Sequence, residues 1–146
     1  MRFEYFLVLG LLSGQLNVYG QTDSVDVWIS KIDNNQLQGT CHYYWTIELK
    51  TDAWEAHKLL NAGRMATDKL IKSLSNVDKG VISHYMLSKI LESTFQIETL
   101  SMDNEKVSYR VNGLEFYEGS DGIVVLPEEL EKARTYWSGR KKHLSH

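Results

Sequence analysis

From Lys79 to Ser93 the chain reads KGVISHYMLSKILES. At helical spacing, Val81, Ile82, Tyr85, Met86, Leu87, Ile90 and Leu91 cover most of a helix circumference. A helix that is apolar nearly all round has to be covered on more than one side. This segment therefore belongs at the centre of the fold, with other elements packed around it. Two further helices lead into it. Asp52 and Glu55 stand at capping-box spacing for the first, in which each side chain can satisfy the other's free backbone N–H. Ala53, Trp54, Leu59 and Leu60 supply its apolar faces, and Gly63 breaks it. The second carries Ala66, Leu70, Ile71 and Leu74 on one stripe, with Thr67, Asp68, Lys69, Lys72 and Ser73 opposite. Ser75-Asn76-Val77-Asp78 forms the turn before the central helix.

The flanking sequence changes period. Upstream, Val25, Trp28, Ile29 and Ile32 fall at i, i+3, i+4 and i+7, a short helix that Ser24 can cap and Asn34-Asn35 ends. Gly39 marks a turn. Cys41, Tyr43, Trp45, Ile47 and Leu49 then alternate with polar or outward-facing residues, which predicts one strand over 41–50; a helical face through Trp45, Glu48 and Leu49 is the competing pattern. Within that strand Tyr43 and Trp45 would face inward and Tyr44 outward. Downstream, Phe95 and Ile97 alternate, as do Val107, Tyr109 and Val111. Asn112-Gly113 follows, the strongest short hairpin signal because a type I′ turn needs positive φ at both central residues. A two-residue loop pairs Val111 with Leu114 and Tyr109 with Phe116, placing all four on one face. Gly119 to Gly122 turns into a last strand over 123–126. Pro127 opens the final helix, with Glu128 and Glu129 at the positive end of its dipole. Leu130, Ala133 and Trp137 form its stripe, Gly139 can end it, and Arg140, Lys141, Lys142 and His143 make a basic tail.

The segment AHKLLNAGRMATDKLIKSLSNVDKGVISHYMLSKILE, residues 56–92, resembles the α-solenoid repeats of the HEAT family over about one and a half units. Gly63, Ala66, Leu70, Leu74, Asp78, Val81, Leu87 and Ile90 stand where that pattern places them. Thr67 or Asp68 stands near the position of the usual proline, and Ser83 and His84 replace small residues of the last helix. A solenoid needs about three repeats to stand alone. The expected fold is therefore α+β: a HEAT-like helical layer packed with a small antiparallel β-meander and a C-terminal helix. HEAT-type proteins mostly bind other proteins, so the resemblance implies a protein partner.

The first 20 residues have the organisation of a secretory signal peptide. Arg2 supplies positive charge, Phe6 to Leu12 an apolar core, and Val18 and Gly20 permitted residues before a cleavage site at Gln21. The apolar run is too short to span a bilayer, which takes about 20 residues. Residues 21–146 would then form a single α+β domain. Removal of the leader takes one charge of each sign and leaves the net charge of −3 unchanged. That mildly acidic balance disfavours nucleic acid as a partner. One cysteine, Cys41, allows no internal disulfide, so an exported chain of this kind suits a periplasmic or extracellular space without relying on disulfides. Cys41 reads as a small buried hydrophobe.

No catalytic, cofactor or metal motif is evident. His42, His57, His84, His143 and His146 include no i, i+4 pair, and there is no phosphate loop or nucleophile elbow. The expected role is an exported protein-binding module, of the inhibitor, immunity or envelope-accessory kind, with no cofactor. Tyr44, Trp54, Lys69 and Lys72 are the candidate partner-binding residues. The alternative is a small hydrolase or ligand-binding domain with a pocket between helices and meander, lined by His84, Glu55 and a tyrosine.

Overall fold

The structure, a computed structural model, describes residues 24–42, 46–92, 96–102 and 106–144. It is an α+β fold of five α-helices, two short 3-10 helices and two antiparallel sheets among those residues. Helix α1 spans 24–31, α2 Trp54–Ala62, α3 Thr67–Ser73, α4 Gly80–Leu91 and α5 Pro127–Leu144. Strands β1 (Leu37–His42) and β2 (Thr46–Thr51) form a hairpin. Strands β3 (Ile97–Met102), β4 (Lys106–Val111), β5 (Leu114–Gly119) and β6 (Gly122–Val124) follow in order as a four-stranded meander. The expected signal peptide, and the Tyr43–Trp45 cluster, lie outside the described residues.

Helix α4 is the centre that its composition demands. Every residue from Gly80 to Ser88 is buried, and α4 touches α2, α3, α5 and β5. Its start has no side-chain cap of its own. Asn34, nearly fifty residues earlier, does that work: its Oδ1 accepts the Ile82 N–H at 3.1 Å, while its Nδ2 donates to the Val77 carbonyl at 2.6 Å. Asn34 itself sits in a 3-10 turn, Asn34–Gln36, closed by a capping box between Asp33 and Gln36. Lys79 in turn donates from Nζ to the carbonyls of Ile29 and Ser30 at 2.8 and 2.6 Å. A cation there complements the negative end of α1.

The meander has the register expected from sequence. Val111 pairs with Leu114 and Tyr109 with Phe116, all four buried. Asn112 and Gly113 take φ of 43° and 87°. Asn112 also ties the turn down, accepting the Gln96 N–H through Oδ1 and donating to Glu92 through Nδ2. At the far edge, the Ile123 N–H donates to Asn35 Oδ1 at 3.0 Å, which closes the free side of β6.

Five local expectations need correction. Residues 41–50 are not one strand: β1 ends at His42 and β2 begins at Thr46, and Gly39 is paired with Leu49 inside the ladder instead of turning the chain. Period two is preserved on both arms of a hairpin, so alternation alone does not reveal the reversal. Asp52 and Glu55 form no capping box. The N-cap of α2 is Ala53, without a side-chain cap, and its N–H donates to Thr51 Oγ1 at 3.3 Å. Gly39 misled because pairing in the hairpin ladder overrides its turn preference, and the capping-box spacing misled because α2 starts one residue later, with Ala53 at its N-cap. Gly139 does not end α5, which runs on to Leu144. Gly139 is exposed with open space around it, so it costs the helix some stability without breaking it. The residues read as a basic tail are helical; Arg140 lies 3.9 Å from Glu92 and Lys141 pairs with Asp68.

Replacing Asn112-Gly113 by Ala-Ala forces alanine into a left-handed backbone and removes both Asn112 bonds. The expected loss is about 2–4 kcal/mol, read as a lowered midpoint in thermal unfolding. An unchanged midpoint would show that the turn carries no strain-sensitive backbone.

Candidate functional site

Burying α4 all round also buries its polar side chains, and each finds a partner. Ser88 Oγ donates to the His84 carbonyl at 2.9 Å, and Ser83 Oγ meets Ser73 Oγ at 2.6 Å. His84 is 1% exposed. Its Nδ1 faces the Trp137 indole Nε1 at 2.9 Å, and its Nε2 faces the Val111 carbonyl at 2.7 Å. An indole N–H only donates and a carbonyl only accepts. Nδ1 must therefore be bare and Nε2 must carry the hydrogen, which fixes one neutral tautomer. Burial is the larger cause that lowers the imidazole pKa to about 4, opposed by the Val111 bond and the charge of Glu92.

A cavity of about 200 Å³ opens beside this ring, between α5 and the hairpin turn. His84, Glu129, Lys132 and Tyr136 are on its wall, with Asn112 and Leu114. Glu55, the carboxylate expected there from sequence, is not; it stands 4.0 Å from Lys31. Tyr136 donates to Glu92 at 2.5 Å, and that bond holds its hydroxyl pKa above the ordinary value. The cavity thus brings together a histidine, a carboxylate and a tyrosine, yet both ring nitrogens of His84 are already engaged. The imidazole serves as a structural joint and has no lone pair free to take a substrate proton.

The more open feature is a groove of about 380 Å³ on the outer face of the meander. The ladder aligns Ser101 with Ser108, Ser108 with Tyr117, and Tyr117 with Val124, one row across all four strands. Leu100 and Leu126 flank that row. Leu100 is in the outward phase of β3, since Ile97 and Thr99 pair with the inward Val111 and Tyr109, and the register shift between Thr99 and Ser101 leaves it as the extra residue of a bulge beside the row. Leu126 follows Val124 in the same phase, with Val125 buried between them, although β6 itself stops at Val124. Leu100, Val124 and Leu126 keep 41%, 39% and 54% of their surface in solvent. The adjacent rung is polar, with Arg110 bonded to both Glu98 and Glu115.

The sequence candidates are spread over other surfaces. Tyr44 lies outside the described residues. Trp54 is exposed on α2, edge-on to Trp28 with ring centroids 6.4 Å apart, and Lys58 stands 5.1 Å over its ring. Lys69 is paired with Asp26 at 2.7 Å. Lys72 borders a shallow depression with Asp68, Ile71, Glu131 and Arg134, whose rim includes neither Trp54 nor Lys69. The groove residues were missed because Leu100 and the Val124–Leu126 pair lie on strands far apart in sequence, and local patterning does not show that the meander brings them to one concavity. The one available signal was the adjacency of Leu100 and Met102 to the polar Thr99 and Ser101, out of phase with Ile97.

Fold and surface together define an α+β protein with a tightly bonded polar joint inside and an apolar groove outside. The chain matches no protein-family model, no curated protein and no solved structure. Among the described residues no helix is long and apolar enough to cross a membrane, and no group of three or more His, Cys, Asp or Glu is placed to hold a metal ion.

The fixed tautomer has a pH consequence. The unfolded chain takes up a proton near pH 6.5 and the folded one only near 4. The contribution of His84 is complete above about pH 6.5, and about 3 kcal/mol of it is lost as pH falls toward 4. Urea unfolding between these values should show falling stability, with a shallower slope for His84→Gln. Trp137→Phe leaves Nδ1 without its donor and should cost about 1–3 kcal/mol at pH 7; an equal midpoint for this variant would remove the bond from the account.

Proposed function

We propose that the protein is an exported protein-binding module and that a segment of its partner seats in the groove on the outer face of the meander. The observation that carries this reading is the groove itself. Leu100, Val124 and Leu126 converge there, uncovered, on a face whose strands are otherwise polar. Exposed apolar side chains scattered singly are ordinary, whereas several lining one concavity rimmed by polar groups mark a surface that another molecule covers. Tyr117 in its floor and Ser101, Ser108 and Glu115 around it supply the hydrogen-bonding rim such interfaces carry. The resemblance of residues 56–92 to HEAT-type repeats supports the same class of role. So does the pairing of both His84 nitrogens, which weighs against the hydrolase alternative. Export rests on the leader pattern of residues 1–20. An inhibitor, an immunity protein or an accessory protein of the envelope are the forms this function would take.

Capture from the native organism with the full chain and two variants tests the reading. Leu126→Glu places a charge in the groove and should weaken partner binding by tenfold or more, about 1.4 kcal/mol. Trp54→Glu, on α2, should leave it intact. Loss on Trp54→Glu with retention on Leu126→Glu would move the interface to the Trp28–Trp54 surface. Failure to find a stoichiometric protein partner would defeat the function altogether. N-terminal sequencing of the mature protein should begin near Gln21; an intact Met1 in a cytoplasmic fraction would refute export.

A further inference from the structure

We propose that α5 is an acid-released strap, held by the His84–Trp137 bond and freed from α4 when the buried imidazole takes a proton while the rest of the fold persists. The proposal is independent of the partner-binding groove and concerns a different face. It stands on how narrowly α5 is attached. Of its residues from Pro127 to Lys141, only Leu130, Ala133 and Trp137 are buried. Leu130 rests on the bare backbone of Gly80, where a Cβ would collide with it, and Trp137 is fully buried against His84. The other ties are peripheral: Lys141 to Asp68, Arg140 and Tyr136 to the half-covered Glu92, and Glu129, whose Oε2 accepts the Glu115 N–H at 3.5 Å. Pairs with an exposed member hold little.

The bond geometry supplies the trigger. A proton arriving from solvent can add only at Nδ1, since Nε2 already carries a hydrogen toward Val111. The result is a ring N–H facing an indole N–H, two donors with no acceptor between them. The imidazolium also acquires a charge in a buried site, which is costly unless water or a counter-charge reaches it. The cavity beside the ring provides an approach for water. Among the described residues the charged groups around it are Glu92 at the end of α4, Glu129 and Lys132 on α5, and Arg140 beyond Glu92, and those facing the space from the meander side are Asn112, Gly113 and Leu114. Glu92 favours the imidazolium but is already bonded to Asn112 and Tyr136. Expelling Trp137 is then the route that relieves the donor clash, and with it goes the stripe that holds α5. Release would uncover the α4 face around His84 and the Leu130, Ala133 and Trp137 stripe.

The test is a pH titration of the full chain labelled with ¹⁵N-tryptophan, with indole signals assigned by single Trp→Phe variants. On acidification from pH 7, the Trp137 indole signal should shift to its solvent-exposed position before the Trp28 and Trp54 signals change. His84→Gln, which cannot ionise, should abolish that early step. The proposal is overturned if all indole signals collapse together, or if His84→Gln shows the same early step as the parent. Should His84→Gln not fold, the order of signals in the parent protein decides alone.

Discussion

A single neutral imidazole joins the central helix to the meander and to α5. His84 lies on α4, its Nε2 hydrogen goes to β4 and its Nδ1 lone pair takes the indole hydrogen of α5. Inside a protein such a bond is strong, and leaving either group unpaired is expensive. The ring therefore does more than fill space: it sets how α4, the meander and α5 meet. Around it the packing is apolar, with Leu70, Leu74, Val81, Ile82, Met86, Leu87 and Leu114 all buried. Hydrophobic burial of this kind drives collapse but is indifferent to small slips in position. The directional bonds of His84, and those of Asn34 at the start of the same helix, select one arrangement among many that bury the same surface. Tyr85 adds a third, donating to the Leu49 carbonyl at 3.1 Å and so fixing the β1–β2 hairpin to α4; burial, with the charge of Glu48, pushes its hydroxyl pKa up.

The rigidity of that interior contrasts with the outer face of the meander. There the cross-strand rows hold one polar rung, Glu98–Arg110–Glu115, beside a row that ends in exposed apolar side chains. Both faces of the sheet come from the same alternating strands, and the inner one is used up against the core. What remains available to another molecule is decided by the outward phase of the strands. Leu100 on β3, and Val124 and Leu126 at the end of β6, are apolar residues in that phase. The surface proposed for binding is thus built where regular alternation leaves apolar side chains outward, positioned by a well-bonded frame.

The helices and the Asn112-Gly113 hairpin were legible in the sequence because their signals are local. The spacing of Val81 to Leu91 fixes a helix covered all round, and positive φ at Asn112 and Gly113 follows from a two-residue loop between alternating runs. The register of Tyr109 against Phe116 follows in turn, since a slip by one would face all four apolar residues to water. The hairpin concealed within residues 37–51 was not legible, because reversing direction leaves the period unchanged. Nor was the continuation of α5 through Gly139, where Arg140 and Lys141 pair with Glu92 and Asp68 from other elements and the propensity cost of the glycine is modest.

What the sequence alone determined, then, is the class of fold, the burial of α4 and the pairing of the central hairpin, all consequences of periodicity and turn stereochemistry within a few residues. Only the tertiary structure decided the partners of His84, the distant cap supplied by Asn34 and the gathering of Leu100, Val124 and Leu126 into one groove. The reason is physical. A hydrogen bond between Trp137 and His84 spans 53 positions of chain, and no local pattern encodes which donor will stand opposite a given nitrogen once the apolar faces have closed.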